Sequence, residues 1–380
     1  MNFLFIVQGE GRGHMTQAIT FSKMLESNGH RLSGVIVGKS NRRQIPEFFS
    51  REINAPIHLV ESPNFETDLK QKKVSLHKTI LKNSLKLKTF QKSLKTIDQI
   101  AKAENPDVIL NFYDLLGGLY KFIYRPKAAF WVIGHQYLIH HPSFRFAPNR
   151  TLEKYLFKLN TWVTSLGADE RLALSFLPQL LTHAHQKIRV VPPLLRPEVQ
   201  LLTPTSGDFY LAYMVNPGYA EEVIFFAQAN PHLKIKAYWD KKSAAETERP
   251  LPNLSFHRVH DRKFLQDMAD CRGLVCTAGF ESVCEAMYLG KPVMMIPVAG
   301  QYEQACNALD AVESGAGIAS KDFDFGKLEN VQKKDAEASW EYQNWVNSWP
   351  LIFREITIGN LVHRSNDLET FHPHATPVLD

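Results

Sequence analysis

The 380-residue chain holds only four cysteines, Cys271, Cys276, Cys284 and Cys306, and none of them forms a Cys-x-x-Cys pair. That is too little sulfur for a disulfide scaffold or a zinc ribbon, and it points to buried thiols in a reducing compartment. No apolar run approaches the roughly 20 residues that cross a bilayer. The opening Met1-Asn2-Phe3-Leu4-Phe5-Ile6-Val7 has no basic leader and reaches Gly9 too soon for a secretory core, so it reads as a buried strand. Internal repeats and low-complexity tracts are also missing. So is a complete dinucleotide fingerprint: Gly9 and Gly11 fit G-x-G-x-x-G, but His14 stands where the third glycine belongs.

What is present is ordinary in bulk, 44% hydrophobic and 22% charged, and long enough for two cores. Apolar runs alternate with helical patterns nearly end to end, which predicts an α/β chain with doubly wound parallel sheets. The first set of strands is read at 3–7, 32–37, 57–60, 108–112, 128–133, 172–176 and 188–191. The second lies at 209–214, 235–239, 254–256, 273–276 and 293–296. Three prolines in Val191-Pro192-Pro193-Leu194-Leu195-Arg196-Pro197 divide them. The expected organisation is a Rossmann-like domain over 1–192, a linker over 193–200 and a second such domain over 201–335. An aromatic helix over 336–360 is expected to cross back to the first domain, followed by a frayed tail, 361–380.

The net charge of +5 is unevenly placed, with ten lysines between Lys70 and Lys102. Leu76, Ile80, Leu87, Phe90, Leu94 and Ile97 recur there at helical spacing, which predicts an amphipathic basic helix. Its simplest use is as a solvated face. The sharper use is peripheral contact with an anionic membrane, worth about 1 kcal/mol per lysine. Nucleic acid is not expected as a partner, because no aromatic residues alternate with these charges.

Two loops carry chemistry. Strand one ends in Gln8-Gly9-Glu10-Gly11-Arg12-Gly13-His14, and a helix follows from about Met15. His14 sits at the mouth of this loop, where α/β folds bind ligands, and the helix start favours its neutral form. It is the candidate general base. In the second half, Thr277-Ala278-Gly279 ends a strand, and a helix opens at Phe280 whose unpaired N–H groups make an anion site. Ser282 can add a hydroxyl, Glu285 can accept from ribose hydroxyls, and the pair Glu303-Gln304 can hold sugar hydroxyls. Glu281 reads as an ordinary first-turn acid. His140-His141-Pro142 lacks a third ligand at metal spacing and reads as loop histidines.

The ordered set Gly279, Glu285, Gly290-Lys291-Pro292, Ile296-Pro297, Glu303-Gln304 and Asn307-Ala308 resembles the donor-site signature of the GT-B nucleotide-sugar glycosyltransferases. Within that class it is similar to the UDP-glycosyltransferases and to the group of the peptidoglycan N-acetylglucosaminyltransferase and monogalactosyldiacylglycerol synthase. Gly11-Arg12-Gly13-His14 resembles their glycine-rich loop. The resemblance implies two facing Rossmann-like domains, the acceptor on the first and the donor on the second. It implies His14 as base with Asp114 orienting it, and an inverting displacement. Gly279 and Ser282 would contact the diphosphate, Glu285 the ribose, Glu303 and Gln304 the donor sugar, and Val259 the base, with Phe280 also on the donor side. Asn216 stands where the family has a glycine-rich turn, and a side-chain amide there could replace the lost contact. Gly11, Gly13, His135 and Gln136 fall on the acceptor side.

No cofactor is expected beyond a nucleotide-sugar co-substrate, a UDP-sugar by resemblance. The site set contains no Asp-x-Asp motif, so metal independence is expected too. The acceptor would be lipid-linked or a polymer, in envelope glycan or glycolipid synthesis, with the protein cytoplasmic or at the inner face of the membrane. Two other classes stay open. The basic 38–43 stretch after strand two would suit a 2′-phosphate, hence an NADP-dependent oxidoreductase. A nucleotide-sugar 2-epimerase would share the fold, although 298–304 lacks its Thr-Glu-Arg element.

Overall fold

The computed structural model describes residues 1–39, 45–63, 86–178, 188–214, 217–239, 241, 245–331 and 336–358. Two seven-stranded sheets carry them. The first is wholly parallel in the order β3-β2-β1-β4-β5-β6-β7. Its strands are β1 (Asn2–Gln8), β2 (Arg31–Lys39), β3 (Ile57–Glu61), β4 (Val108–Phe112), β5 (Ala129–Gly134), β6 (Glu170–Leu174) and β7 (Ile188–Val191). Phe3 to Val7 and all of β4 are buried, because helices cover both faces of the sheet.

The second sheet runs β10-β11-β9-β8-β12-β13-β14. It comprises β8 (Phe209–Met214), β9 (Lys234–Trp239), β10 (Thr247–Leu251), β11 (Leu254–Arg258), β12 (Leu274–Cys276), β13 (Val293–Met295) and β14 (Gly317–Ala319). Only the β10–β11 pair is antiparallel. Two of these strands escape the sequence reading. Thr-Glu-Arg-Pro-Leu has no apolar run, and its proline is tolerated because β10 is an edge strand. The three residues of β14 are too few to show a period.

Between the strands lie α1 (Arg12–Ser27), α2 (Glu47–Glu52), α3 (Leu87–Glu104), α4 (Leu115–Tyr124), α5 (Thr151–Thr164), α6 (Pro197–Gln200), α7 (Ala220–Ala229), α8 (Asp261–Asp270), α9 (Phe280–Tyr288), α10 (Tyr302–Glu313) and α11 (Ala336–Asn347). Of the lysine-rich segment, 70–85 lies outside the described residues. The remainder, α3, buries Phe90, Leu94, Ile97 and Ala101 and exposes Lys88, Lys92, Lys95 and Lys102, an amphipathic pattern. Among the described residues no helix is long and apolar enough to cross a membrane.

The aromatic segment touches both domains. Tyr342 Oη donates to Cys284 O (3.3 Å), while Trp345 Nε1 donates to Ser175 O (3.1 Å) and Trp349 Nε1 to Pro193 O (3.0 Å). Residues 349–358 are helical too, and Trp349 and Phe353 set their rings edge-on to Phe21 of α1. Of Trp340, Trp345, Trp349 and Phe353 in this segment, Trp340 faces solvent. The expected tail, 361–380, lies outside the described residues.

Strand order reverses beside β1, which sits between β2 and β4, and beside β8, which sits between β9 and β12. Open α/β sheets bind ligands just beyond the carboxyl ends of the strands at such points. Here those ends are the loop Gly9–Gly11, the turn at Tyr113-Asp114 and the turn Thr277–Gly279.

Candidate active site

Two helices open on the shared cleft without a side-chain cap. Gly11 is the N-cap of α1 and Gly279 that of α9, and neither cap position supplies a side-chain hydrogen bond. By contrast, Asp114 caps α4 and His260 caps α8 with their side chains. A Cβ added at Gly279 would meet only Ser282 Oγ, 3.8 Å away, so the space before the α9 amides is open. Ala278 reaches this turn with φ +51°, a left-handed conformation that is strained for any residue with a Cβ. Asn307 Nδ2 braces it by donating to Ala278 O (3.3 Å). Ser282 departs from expectation, since its hydroxyl proton goes to Gly279 O at 3.3 Å and is not offered outward.

His14 is buried, and its ring stacks on Tyr113 with centroids 5.7 Å apart. Its Nδ1 lies 3.3 Å from Gln17 Oε1, and its Nε2 lies 3.5 Å from Gln136 Nε2. Burial pulls the imidazole down to about 4, so the ring is neutral at pH 7. Asp114 does not orient it. Tyr113 takes φ +61°, and the next side chain turns back toward β2. There Asp114 Oδ1 accepts from Ser62 Oγ (2.9 Å) and Leu116 N (2.8 Å), and Oδ2 crowds the space a Cβ on Gly38 would need. Its carboxyl, pushed up to about 6 by burial, is a helix cap.

The acids of the second domain divide in an unexpected way. Glu285 is gripped by a guanidinium fork: Arg196 of the linker donates Nε to Oε1 at 2.6 Å and Nη2 to Oε2 at 2.7 Å. Both oxygens are engaged, so in this arrangement Glu285 serves an ion pair and not a ribose. Glu281, one turn earlier on α9, is the acid that faces the first domain. Its Oε1 accepts from Gln17 Nε2 (2.5 Å), its Oε2 is buried with no hydrogen-bond partner, and burial raises its carboxyl to about 8. Gly13 makes room, since a Cβ there would stand 3.2 Å from Glu281 Cγ.

Glu303 does reach the cleft, where it accepts from Gln136 Nε2 at 2.8 Å, and burial raises its carboxyl also. Its neighbour does not, because Gln304 Oε1 is taken by Val298 N (2.8 Å) and holds the turn after β13. His135 is likewise diverted from the acceptor. Its Nδ1 donates to Leu174 O (2.8 Å), and its ring stacks on Phe280 with centroids 4.1 Å apart, so both rings serve the domain interface. Gln136 stands between His14 and Glu303, with Oε1 buried and without a hydrogen-bond partner. Val259 is half-buried between β11 and α8. Asn216 lies outside the described residues.

Gln17, Arg196 and Tyr113 were missed from sequence, and Glu281 was read there only as a first-turn acid. Gln17 follows His14 by one helical turn, a spacing that could have been noticed. Arg196 was hidden among prolines. The chain's one Asp-x-Asp triplet, Asp322-Phe323-Asp324, serves a local turn: Asp322 pairs with Lys327, and Asp324 accepts from Gly326 N. Among the described residues no cluster of three or more His, Cys, Asp or Glu could hold a metal ion.

Two doubly wound domains that face each other across a cleft, each contributing a glycine-opened helix, define the GT-B class of glycosyltransferase. The chain belongs to glycosyl transferase family 1, whose profile matches residues 1–334. It is similar in structure to the glycotransferase of kitacinnamycin (TM-score 0.61, 14% identity, covering 96% of this chain and 98% of that one). It is also similar to UGT2 of Phytolacca americana, solved with UDP-2-fluoro-glucose and pterostilbene (TM-score 0.58, 11% identity, 91% and 94% covered). A third is MurG of Acinetobacter baumannii (TM-score 0.53, 14% identity, 93% and 99% covered). At these identities the likeness is one of fold. No curated protein matches the chain in sequence.

Proposed function

We propose that this glycosyltransferase moves a sugar from a nucleoside diphosphate donor, a UDP-sugar, to an acceptor hydroxyl with inversion at the anomeric carbon. One observation carries the reading. A neutral, buried imidazole on the first domain faces an uncapped helix start on the second, and Gln17–Glu281 and Gln136–Glu303 join the two across the gap. His14 Nε2 takes the acceptor proton as that oxygen bonds to the anomeric carbon, a contribution of about 10²–10⁴ in rate. The bond from that carbon to the phosphate oxygen breaks, and the diphosphate leaves toward the α9 amides, whose fixed dipoles favour its charge. Glu303 and Gln136 Oε1 offer acceptors for sugar hydroxyls. The helix dipole supplies the counter-charge, and the reaction is proposed to need no metal ion.

The acceptor is proposed to be a lipid-linked or polymeric hydroxyl compound of the cell envelope, met at the inner face of the membrane. The exposed lysines of α3 support that placement by their charge. UDP-2-fluoro-glucose in the plant enzyme and thymidine diphosphate in the spinosyn rhamnosyltransferase are diphosphates held by this fold. The test is to present purified protein with a panel of nucleotide sugars and lipid or glycan acceptors, and to read nucleotide release and product stereochemistry. His14→Ala is expected to cut transfer by about 10²–10⁴ and to leave nucleotide affinity nearly unchanged. Transfer at the wild-type rate in that variant would remove His14 as the base.

A further inference from the structure

We propose that Gln17 and Glu281, reaching from the two domains, act together as positioning residues that fix the tautomer of His14. This rests on His14 being the base of the transfer just described, and it concerns how that base is prepared.

A neutral imidazole works as a base at Nε2 only if Nδ1 holds the hydrogen, and something must accept that hydrogen. The first domain has an acid at the following strand end, but Asp114 is turned away to cap α4. The group that meets Nδ1 is the Gln17 amide oxygen at 3.3 Å, one turn along α1 on the same face. An amide alone is a poor tautomer lock, because a half-turn exchanges its oxygen for its NH₂ and reverses the preference.

Glu281 removes that freedom. Its Oε1 stands 2.5 Å from Gln17 Nε2 and accepts, which holds the amide oxygen toward His14. An oxygen can only accept here, so Nδ1 keeps the hydrogen and the lone pair is left on Nε2. That nitrogen faces Gln136, which also binds Glu303 across the cleft. Gly13, beside His14 on the same helix, is what lets Glu281 come this near.

The bridge spans 264 positions of sequence and joins α1 of the first sheet to α9 of the second. Burial keeps the Glu281 carboxyl protonated near neutral pH, which places its proton on the unpartnered Oε2 and leaves Oε1 as the acceptor. A neutral carbonyl oxygen at that place should suffice.

The experiment is long-range ¹⁵N–¹H NMR on the full chain with ¹⁵N-labelled histidine, the His14 signals being assigned by their loss in His14→Ala. The wild type should show His14 with hydrogen on Nδ1. Glu281→Ala and Gln17→Leu should lose that preference, and Glu281→Gln should keep it. In steady-state transfer, Gln17→Leu and Glu281→Ala should lower kcat about 10- to 100-fold with donor KM changed less than about threefold, and Glu281→Gln should recover most of kcat relative to Glu281→Ala. A wild-type His14 with hydrogen on Nε2 overturns the proposal. So does a Gln17→Leu protein that folds, as judged by its thermal melt, and keeps wild-type tautomer and kcat. The tautomer is read without substrate, so failure to find any transfer would count against the proposed function while the NMR still decides for or against the Gln17–Glu281 lock.

Discussion

The starts of α1 and α9 are built on one plan and put to opposite uses. Each follows a strand that borders the point where its sheet reverses order, each opens on a glycine, and each leaves its first amides without a side-chain cap. The first turn of α1 has no acid, and what it delivers is a ring, His14, seated on Tyr113. The first turn of α9 holds Glu281, and below it Glu285 is locked to Arg196. A charged acid at the mouth of an anion site would repel the ligand it serves. Burial resolves the conflict by keeping Glu281 protonated, and Arg196 resolves it for Glu285 by neutralisation. In the function proposed above, the same backbone device makes a base on one side and a phosphate cradle on the other, and the side chains one turn further in decide which.

The two helix starts differ most below α9, which rests on the buried Arg196–Glu285 pair, whereas the ion pairs of α1, Arg12–Asp261 and Lys23–Glu52, are partly exposed. Arg196→Ala strands a buried carboxylate and should cost about 3 kcal/mol of stability, read as a lower urea midpoint at unchanged m. Arg196→Lys keeps the charge without the fork and should fall between. A midpoint equal to wild type in Arg196→Ala would show the pair to be dispensable. Substitution at the two glycines separates their roles. Gly279 has φ −74°, which alanine adopts freely, and its Cβ would enter the open space before the amides. Gly279→Ala should raise donor KM about tenfold with kcat nearly constant, the loss of about one hydrogen bond to a charged group. Gly11→Ala sets its Cβ 3.6 Å from His14 Cδ2 and should act on kcat, with donor KM held.

Acidity separates the two sides more gently. His14, His135 and His140 are held at about 4, below the free value of 6.5. Between those limits the unfolded chain binds protons that the fold refuses, so stability falls as pH drops through the window. Glu281 at about 8 and Asp310 at about 7 act the other way: the fold keeps protons that the unfolded chain has released, and stability falls as pH rises. Above pH 6.5 only the acids remain, so melting temperature should decline from there to pH 8. Glu281→Gln should flatten that decline, and an unchanged slope would place the proton elsewhere. The smallest expected effect is none: EDTA should leave transfer unaltered, and a loss restored by a divalent cation would end the metal-free reading.

Most of the fold was legible, for reasons visible in particular strands. Phe3–Val7 and Val108–Phe112 are covered on both faces, so they appear as unbroken apolar runs. The strand Thr247–Leu251 lies at an edge and needs no such run. At the site, the loops announced themselves through glycine, and Gly11, His14, Gly279 and Glu303 all border the cleft. Partners were far less legible. Asp114 and Glu285 were assigned by position in a motif, but a side chain's partner is set by direction. A single left-handed residue, Tyr113, turned Asp114 toward Ser62, and a linker arginine 89 positions away claimed Glu285.

From the sequence alone came the two doubly wound domains and the two glycine turns that open helices. These follow from local rules, namely the burial period of a covered strand and the freedom of glycine in a turn. Only the tertiary structure decided that Gln17 and Glu281 meet, that Arg196 holds Glu285, and that Asp114 serves a helix instead of a histidine. Those choices are contacts between elements far apart in the chain, where distance and direction in the packed state select the partner and no local period records it.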